Sequence, residues 1–378
     1  MKKFIYLIFI FIISSSAYAQ IPLFGNEIHV KINGLTFDAM EPALSTDGNA
    51  LFFNSLNNGT TTSLFYASKV NDSTFNYIGA VPVVNQTVTP RLDAVASLDS
   101  VNNFYWVSTR NYPSNFDNLH RIRFLTSGYT NFGRVHGDFY IYSPGWLIMD
   151  AGINFYGNKL IYCNAFFNNC ANAVPCIASM GIATKLNDST FNKDANTTTI
   201  MANINDTVNY IVYAPALTKD GLELYYTRLL KNSTQTEIMV STRTNTNSAF
   251  GLPTLLVGAP YIVPEAPTIS TDKTKMYYHR KNGNLFEIYL KYRTGTTDIK
   301  EITKEPVISL YPNPTNGNFT INSAEDIHVM IYNSVGDLVL KTNSSTIDLK
   351  DHPCGIYFVT INTTTSSKTI KLIKQNNN

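Results

Sequence analysis

The chain has 378 residues, of which 44% are hydrophobic, 12% aromatic and only 15% charged, with a formal net charge of +2 at pH 7. That near-neutral balance gives no electrostatic basis for binding nucleic acid. Beyond the first twenty residues no apolar run approaches the roughly 18 residues needed to cross a bilayer as a helix.

Met1 to Gln20 begins with Lys2 and Lys3, continues as an apolar run from Phe4 to Ile13, and ends in Ala17-Tyr18-Ala19 before Gln20. This is the pattern of a secretory signal with a small-x-small cleavage site, so residues 1–19 are expected to be removed. The remaining 359 residues, two lysines poorer, carry a formal charge of zero. Ile28 to Leu35, "IHVKINGL", precedes the first full repeat and has no repeat of its own.

From Glu41 the chain says one sentence five times. "EPALSTDGNALFFNS" at Glu41 returns as "APALTKDGLELYYTR" from Ala214 and "APTISTDKTKMYYHR" from Ala266, and in weaker form as "DAVASLDSVNNFYWVST" from Asp93 and "DAGINFYGNKLIYCN" from Asp150. The first apolar residues after the turn are Leu51, Phe104, Leu160, Leu224 and Met276, spaced by 53, 56, 64 and 52 residues. Asp-Gly supplies the positive backbone dihedrals of a tight hairpin, so each copy reads as strand, turn, strand. A third apolar run follows each pair (Ser63–Lys69, Leu119–Phe124, Ser179–Lys185, Glu237–Thr242 and Leu285–Lys291), with room for a fourth strand before the next copy. Four antiparallel strands in about 50 residues is the size of a propeller blade. The small residues suit an innermost strand, and the aromatic runs are expected to fill the space between blades. The last copy ends after its third strand near Arg293, so the N-terminal segment is expected to supply the final blade's outer strand and close a five-bladed ring.

The run Pro42-Ala43-Leu44-Ser45-Thr46-Asp47-Gly48 resembles the TolB-type (WD40-like) propeller repeat, a Pro, a Ser and an Asp-Gly turn before an aromatic strand. Pro215 to Gly221 follows it with Thr218 for Ser, Pro267 to Asp272 lacks the Gly, and the second and third copies lack the Pro. The resemblance spans about residues 25–292 and implies a fold without implying an activity.

"KVNDSTFN" at Lys69 recurs as "KLNDSTFN" at Lys185, each in the turn after a third strand. Asp followed by Ser or Thr and then an aliphatic residue or Thr resembles the O-glycosylation site of secreted Bacteroidetes proteins, which would make Ser73, Ser100, Ser189 and Thr207 acceptors. Cys163, Cys170 and Cys176 lie in the third repeat. A Cys170–Cys176 disulfide and a buried Cys163 are expected in an exported protein, and Cys354 is expected to be a buried thiol.

Residues 294–306 lose periodicity and read as a linker between the propeller, residues 20–293, and a terminal domain, residues 307–378. The latter opens "VISLYPNPTNGNFTI", continues in short strand runs (Ile327–Tyr332, Leu338–Lys341, Ser345–Leu349, Ile356–Asn362, Thr369–Lys374), and reads as a small Ig-like β-sandwich. Tyr311-Pro312-Asn313-Pro314, Gly317, "IYNSVGDLV" at Ile331, Gly355-Ile356-Tyr357 and the basic ending "KTIKLIKQ" closely resemble the type A C-terminal sorting domain of the Bacteroidetes type IX secretion system. The resemblance implies the secretion machinery as a partner through residues 307–378, and delivery across the outer membrane to the cell surface or medium.

No His-Glu-x-x-His, Gly-x-Ser-x-Gly, phosphate-binding Gly loop or Cys-x-x-Cys is present. Aligning the repeats places Glu41, Asp93 and Asp150 at the inner-strand entry of three consecutive blades, with Ala214 and Ala266 in the other two and Glu265 adjacent. Carboxylates converging on a propeller mouth could hold a calcium ion or serve as acid and base in glycoside hydrolysis. The same carboxylates could instead cap backbone N–H groups where the inner strands begin. The expected function is that of a binding or scaffold module for a glycan or protein ligand without a cofactor, and the alternative is a glycan-active hydrolase using those three carboxylates.

Overall fold

The computed structural model describes residues 21–294 and 308–375 apart from 59, 90, 126–127, 171–173, 324–325 and 364–366. The leader and the linker beyond Thr294 therefore lie outside the described residues. Two compact units divide between Thr297 and Asp298.

The first unit is a propeller of five antiparallel sheets. From the axis outward, blade 1 comprises Met40–Leu44, Ala50–Asn54, Leu64–Asn71 and Thr74–Ala80, and blade 2 comprises Arg91–Leu98, Asn103–Ser108, Leu119–Leu125 and Gly128–Arg134. Blade 3 comprises Trp146–Ile153, Lys159–Phe166, Ile177–Asn187 and Thr190–Lys193, and blade 4 comprises Tyr210–Leu217, Glu223–Leu230, Thr236–Thr242 and Thr254–Val257. Blade 5 takes Ile262–Ile269, Lys275–Asn282 and Leu285–Arg293 from the end of the unit and Phe24–His29 from its beginning. Inner strands touch in the order 1-2-3-4-5-1, so the ring is closed.

The closing strand lies a few residues earlier than the expected Ile28–Leu35. Glu27, Ile28 and His29 pair with Lys291, Leu290 and Tyr289, while Lys31–Asn33 crosses over and pairs in parallel with the outer strand of blade 1. Val30 is buried at the crossover. The Glu27 carboxylate fixes this strand by accepting from Arg280 Nη2 at 2.6 Å and from the Tyr278 hydroxyl at 2.6 Å.

The aromatic runs are core. Phe52, Phe104 and Trp106 pack between blades 1 and 2, Tyr105, Tyr162 and Phe191 between 2 and 3, and Tyr225, Met276 and Tyr278 between 4 and 5. Each fully buried side chain of this size contributes about 1.5–3 kcal/mol. The repeated octapeptide is a second inter-blade device. Asn71 and Asn187 turn the chain by accepting from the N–H of Ser73 and Ser189, each at 3.0 Å. The carbonyls of those serines then accept from Lys31 and His136, on short parallel strands arriving from the preceding blade. Phe75 and Phe191 of the two copies are buried against Tyr277 and Tyr105 of that preceding blade.

The second unit is a sandwich of a three-stranded sheet (Ser309–Tyr311, Asn318–Asn322, Thr346–Asp348) and a four-stranded sheet (Leu338–Thr342, His328–Asn333, Gly355–Asn362, Ser367–Lys374). Alternation places Phe319, Ile321, Val329, Ile331, Tyr357, Val359 and Ile361 in one core. Asn313 of the Tyr-Pro-Asn-Pro run stitches that turn to the last strand, donating to Lys371 O at 2.7 Å and accepting from Ile373 N at 2.9 Å. Gly317 has φ +126°, and a Cβ there would meet Lys350 backbone atoms at 3.0–3.1 Å, so glycine is required. Tyr357 donates to Pro353 O at 2.6 Å. Cys354, expected to be buried, is exposed, because it sits in the Pro353–Gly355 turn ahead of the strand whose alternation fills the core.

Candidate functional site at the propeller axis

Every inner strand carries a break in its pairing register. At the break the backbone turns left-handed in four blades, with φ of 52° at Glu41, 57° at Val95, 51° at Ala214 and 52° at Ala266. Proline follows in blades 1, 4 and 5, where the ladder asks for no N–H. Pairing fixes the equivalences: Leu44 faces Leu51 as Leu98 faces Phe104, Ile153 faces Leu160 and Leu217 faces Leu224. Three residues back lie Glu41, Val95, Asp150 and Ala214.

Asp93 is therefore displaced from the axial ring. The turn between the first two strands of blade 2 is one residue shorter than in blade 1, and Asp93 stands eleven residues before its anchor Phe104 where Glu41 stands ten before Leu51, so it falls two residues ahead of Val95. Asp93 instead pairs with Ser108 and is fully buried, accepting from Gln86 N at 2.7 Å and Trp106 Nε1 at 3.2 Å, with Arg110 Nη2 at 3.9 Å. Val95 holds the axial position in blade 2, and the third carboxylate near the axis is Glu265 of blade 5, whose Oε1 accepts from the Tyr213 hydroxyl at 2.5 Å and whose Oε2 lies 3.4 Å from His279 Nε2.

Side chains that sequence reasoning missed hold this ring. The freed N–H of Ala266 donates to Thr227 Oγ1 at 2.9 Å, that of Glu41 to His279 Nδ1 at 3.0 Å, and that of Val95 reaches Asn54 Oδ1 at 3.5 Å. Each acceptor belongs to the preceding blade and is fully buried. Because Glu41 N–H donates to Nδ1, the His279 proton sits on Nε2, facing Glu265. The backbone N–H of Ala214 favours the charged form of the Asp150 carboxyl, and that of Val95 the charged form of Glu41. Asn54, Thr227 and His279 all stand three residues after their repeat anchors, so a polar residue closing an aromatic run was the available signal.

Burial raises the Glu41 carboxyl well above its usual range, and the charges of Asp150 and Glu265 add to the effect against the Val95 and Asn54 hydrogen bonds. Burial pushes Asp150 up to about 7, opposed by the Ala214 N–H and reinforced by Glu265. Glu41 Oε2 and Asp150 Oδ2 are sealed without a hydrogen-bond partner. The axial cavity they border is about 120 Å³ and leads past Ser45, Phe155 and Ser270 to Lys219, whose ammonium lies 4.1 Å from the Phe155 ring centre. At roughly 30 Å³ per water it holds a few solvent molecules. Among the described residues no three His, Cys, Asp or Glu side chains are grouped to hold a metal ion.

Elsewhere, Cys170 and Cys176 form a disulfide with a Cα–Cα distance of 5.4 Å, and Cys163 is buried with its thiol 3.2 Å from Val212 O. Of the candidate hydroxyl acceptors, Ser100 is exposed, while Ser73, Ser189 and Thr207 are half-buried.

Residues 309–375 match the family model of the secretion system C-terminal sorting domain. No curated protein matches the chain. Solved structures similar in fold include Zg3597, a family 117 glycoside hydrolase from the marine bacterium Zobellia galactanivorans, at 10% identity and TM-score 0.45, covering 72% of this chain and 90% of that one. An endo-arabinanase of family GH43 from Bacillus licheniformis is similar at 12% identity and TM-score 0.42, with 71% and 98% covered. TolB from Acinetobacter baumannii is similar at 12% identity and TM-score 0.37, with 69% of this chain and 55% of that chain covered. The chain is a five-bladed propeller joined to a type IX secretion sorting domain of the Bacteroidetes kind, which directs it to the cell surface or the medium.

Proposed function

We propose that the exported propeller is a binding or scaffold module. The observation that carries this reading is the state of the axial carboxylates. Glu41 Oε2 and Asp150 Oδ2 are sealed without a hydrogen-bond partner, and the cavity they border, about 120 Å³, is smaller than the roughly 300–1,000 Å³ of ligand pockets. A hydrolase needs an acid and a base that reach a glycosidic bond together. Asp93, one of the three residues that reading requires, lies off the axis and is bonded to the Trp106 indole.

The test is to incubate the mature protein with a panel of polysaccharides and intact surface-exposed cell envelopes, measuring both bound protein and released reducing ends. Saturable binding without product, unchanged in the Glu41→Gln, Asp150→Asn double variant, is expected. Product release by the wild type that disappears in the double variant would make the protein an enzyme and overturn this reading.

A further inference from the structure

Two ends of the propeller differ in kind. At one end sit the tight turns between first and second strands. At the other, blades 1 to 3 carry long connections: residues 81–90, 109–118, 138–145 and the disulfide loop. Between the first two of these lies a groove of about 890 Å³, several times the axial cavity.

The groove is built, and its chemistry is selective. Asn85 forks onto Leu64, accepting from its N–H at 2.7 Å and donating to its carbonyl at 2.9 Å. Gln86 N–H donates to buried Asp93 at 2.7 Å and its side-chain amide to Ser108 Oγ at 3.2 Å. The loop so pinned holds Val83 at φ 59°, a left-handed conformation that a β-branched residue adopts only when its surroundings impose it, as happens at ligand sites. No carboxylate is found among the described residues lining the groove. Its one cation, Arg110, is occupied, donating to Val84 O at 2.9 Å and lying 3.9 Å from Asp93. What remains for a ligand is amide and hydroxyl chemistry from Gln86, Thr87, Thr89 and Asn111, and the aromatic ring of Tyr112.

That ring is held in place. The Tyr112 hydroxyl accepts from Gly145 N at 3.0 Å, and its ring meets Phe116 edge-on at 5.8 Å. Phe116 meets Tyr142 in the same way at 6.2 Å, and the Tyr142 hydroxyl donates to Asp117 at 3.0 Å. Tyr142 is 60% exposed. A fixed aromatic ring beside uncharged amides and hydroxyls matches a sugar, whose C–H faces stack on rings while its hydroxyls hydrogen-bond. A charged ligand would find no free counter-charge there.

We propose that this groove, on the loop-bearing end of blades 1 and 2, binds a short neutral oligosaccharide with Tyr112 as its stacking platform. The proposal rests on the reading of the propeller as a binding module and gives that module its ligand class. Asp93 acts beneath the groove as a positioning residue, through Gln86 and Arg110.

The test is calorimetric titration of the mature protein with cellohexaose, xylohexaose, laminarihexaose and, as the charged control, a galacturonate oligomer. Saturable binding of a neutral hexasaccharide is expected, weakened about tenfold or more in Tyr112→Ala, which loses the ring, and kept within about threefold in Tyr112→Phe, which retains it. Melting curves of both variants check that the fold is kept. Binding equal in wild type and Tyr112→Ala overturns the groove while leaving the module reading intact. Preference for the galacturonate oligomer overturns the ligand class. Absence of heat with all neutral sugars overturns the proposal, and envelope binding in the assay above then shows whether the module reading falls with it.

Discussion

Asp150 shows how a single residue at the axis can look functional and yet hold the fold. Its carboxyl is pushed up to about 7 by burial, so the folded state binds a proton that the unfolded chain releases near its ordinary acidic value. A group whose folded pKa is raised contributes stability below the unfolded value and loses it as pH rises through the folded one. Glu41 shifts in the same direction. Buried His120, lowered to about 3, gives the opposite slope below about pH 6.5, so chemical denaturation between about pH 6.5 and pH 8 is expected to show wild-type stability falling by on the order of 1–3 kcal/mol. Asp150→Asn, which keeps the acceptor for Ala214 N–H, is expected to flatten that slope and to be the more stable protein at pH 8. Carboxylates with lowered values, such as Asp47 and Asp272, lose their contribution only in more acid solution, outside this window. A wild-type profile that does not decline over this range would contradict the assignment. On the polar staples, Thr227→Val leaves the buried Ala266 N–H without an acceptor and is expected to cost about 1–3 kcal/mol by the same measurement.

At the scale of elements, two features decide the propeller: the hairpin repeat and the strand that closes it. Asp47-Gly48 and Asp220-Gly221 made the hairpins legible, because Gly48 and Gly221 both have φ of 72°. The aromatic runs that follow fill the blade interfaces as expected. Register was harder. Asp93 falls two residues ahead of the axial position, one for the shorter blade 2 turn and one for its own offset from the repeat anchor, and no spacing rule announces the change in the turn. The role of the staples Asn54, Thr227 and His279 was missed for a different reason: each closes an aromatic run but acts on the neighbouring blade, a relation that exists only once the ring is closed. The groove residues belong to connections outside the repeat, where no periodicity exists to read. Closure itself depends on the Glu27 clamp. Glu27→Ala leaves Arg280 and Tyr278 without their acceptor, and is expected to lower the melting transition by the equivalent of about 2–4 kcal/mol. A variant as stable as the wild type would show that the edge of blade 5 is held by its ladder alone.

On the scale of the whole molecule, the two units serve different ends. The sandwich carries the sorting signal, and its motif residues are explained by its own fold: Asn313 binds the last strand, Gly317 passes Lys350, and buried Lys374 caps Lys350 O at 2.9 Å and His352 O. The propeller has its own ring closure and its own cores, so it is expected to fold when the sorting unit is absent. The most direct measurement removes Val307 to Asn378 and follows the propeller by fractionating cells into periplasm, surface and medium. A protease-resistant propeller retained in the periplasm is the expected result, because export is directed by the C-terminal unit. The truncated protein reaching the surface or the medium as efficiently as the full chain would contradict this division of labour.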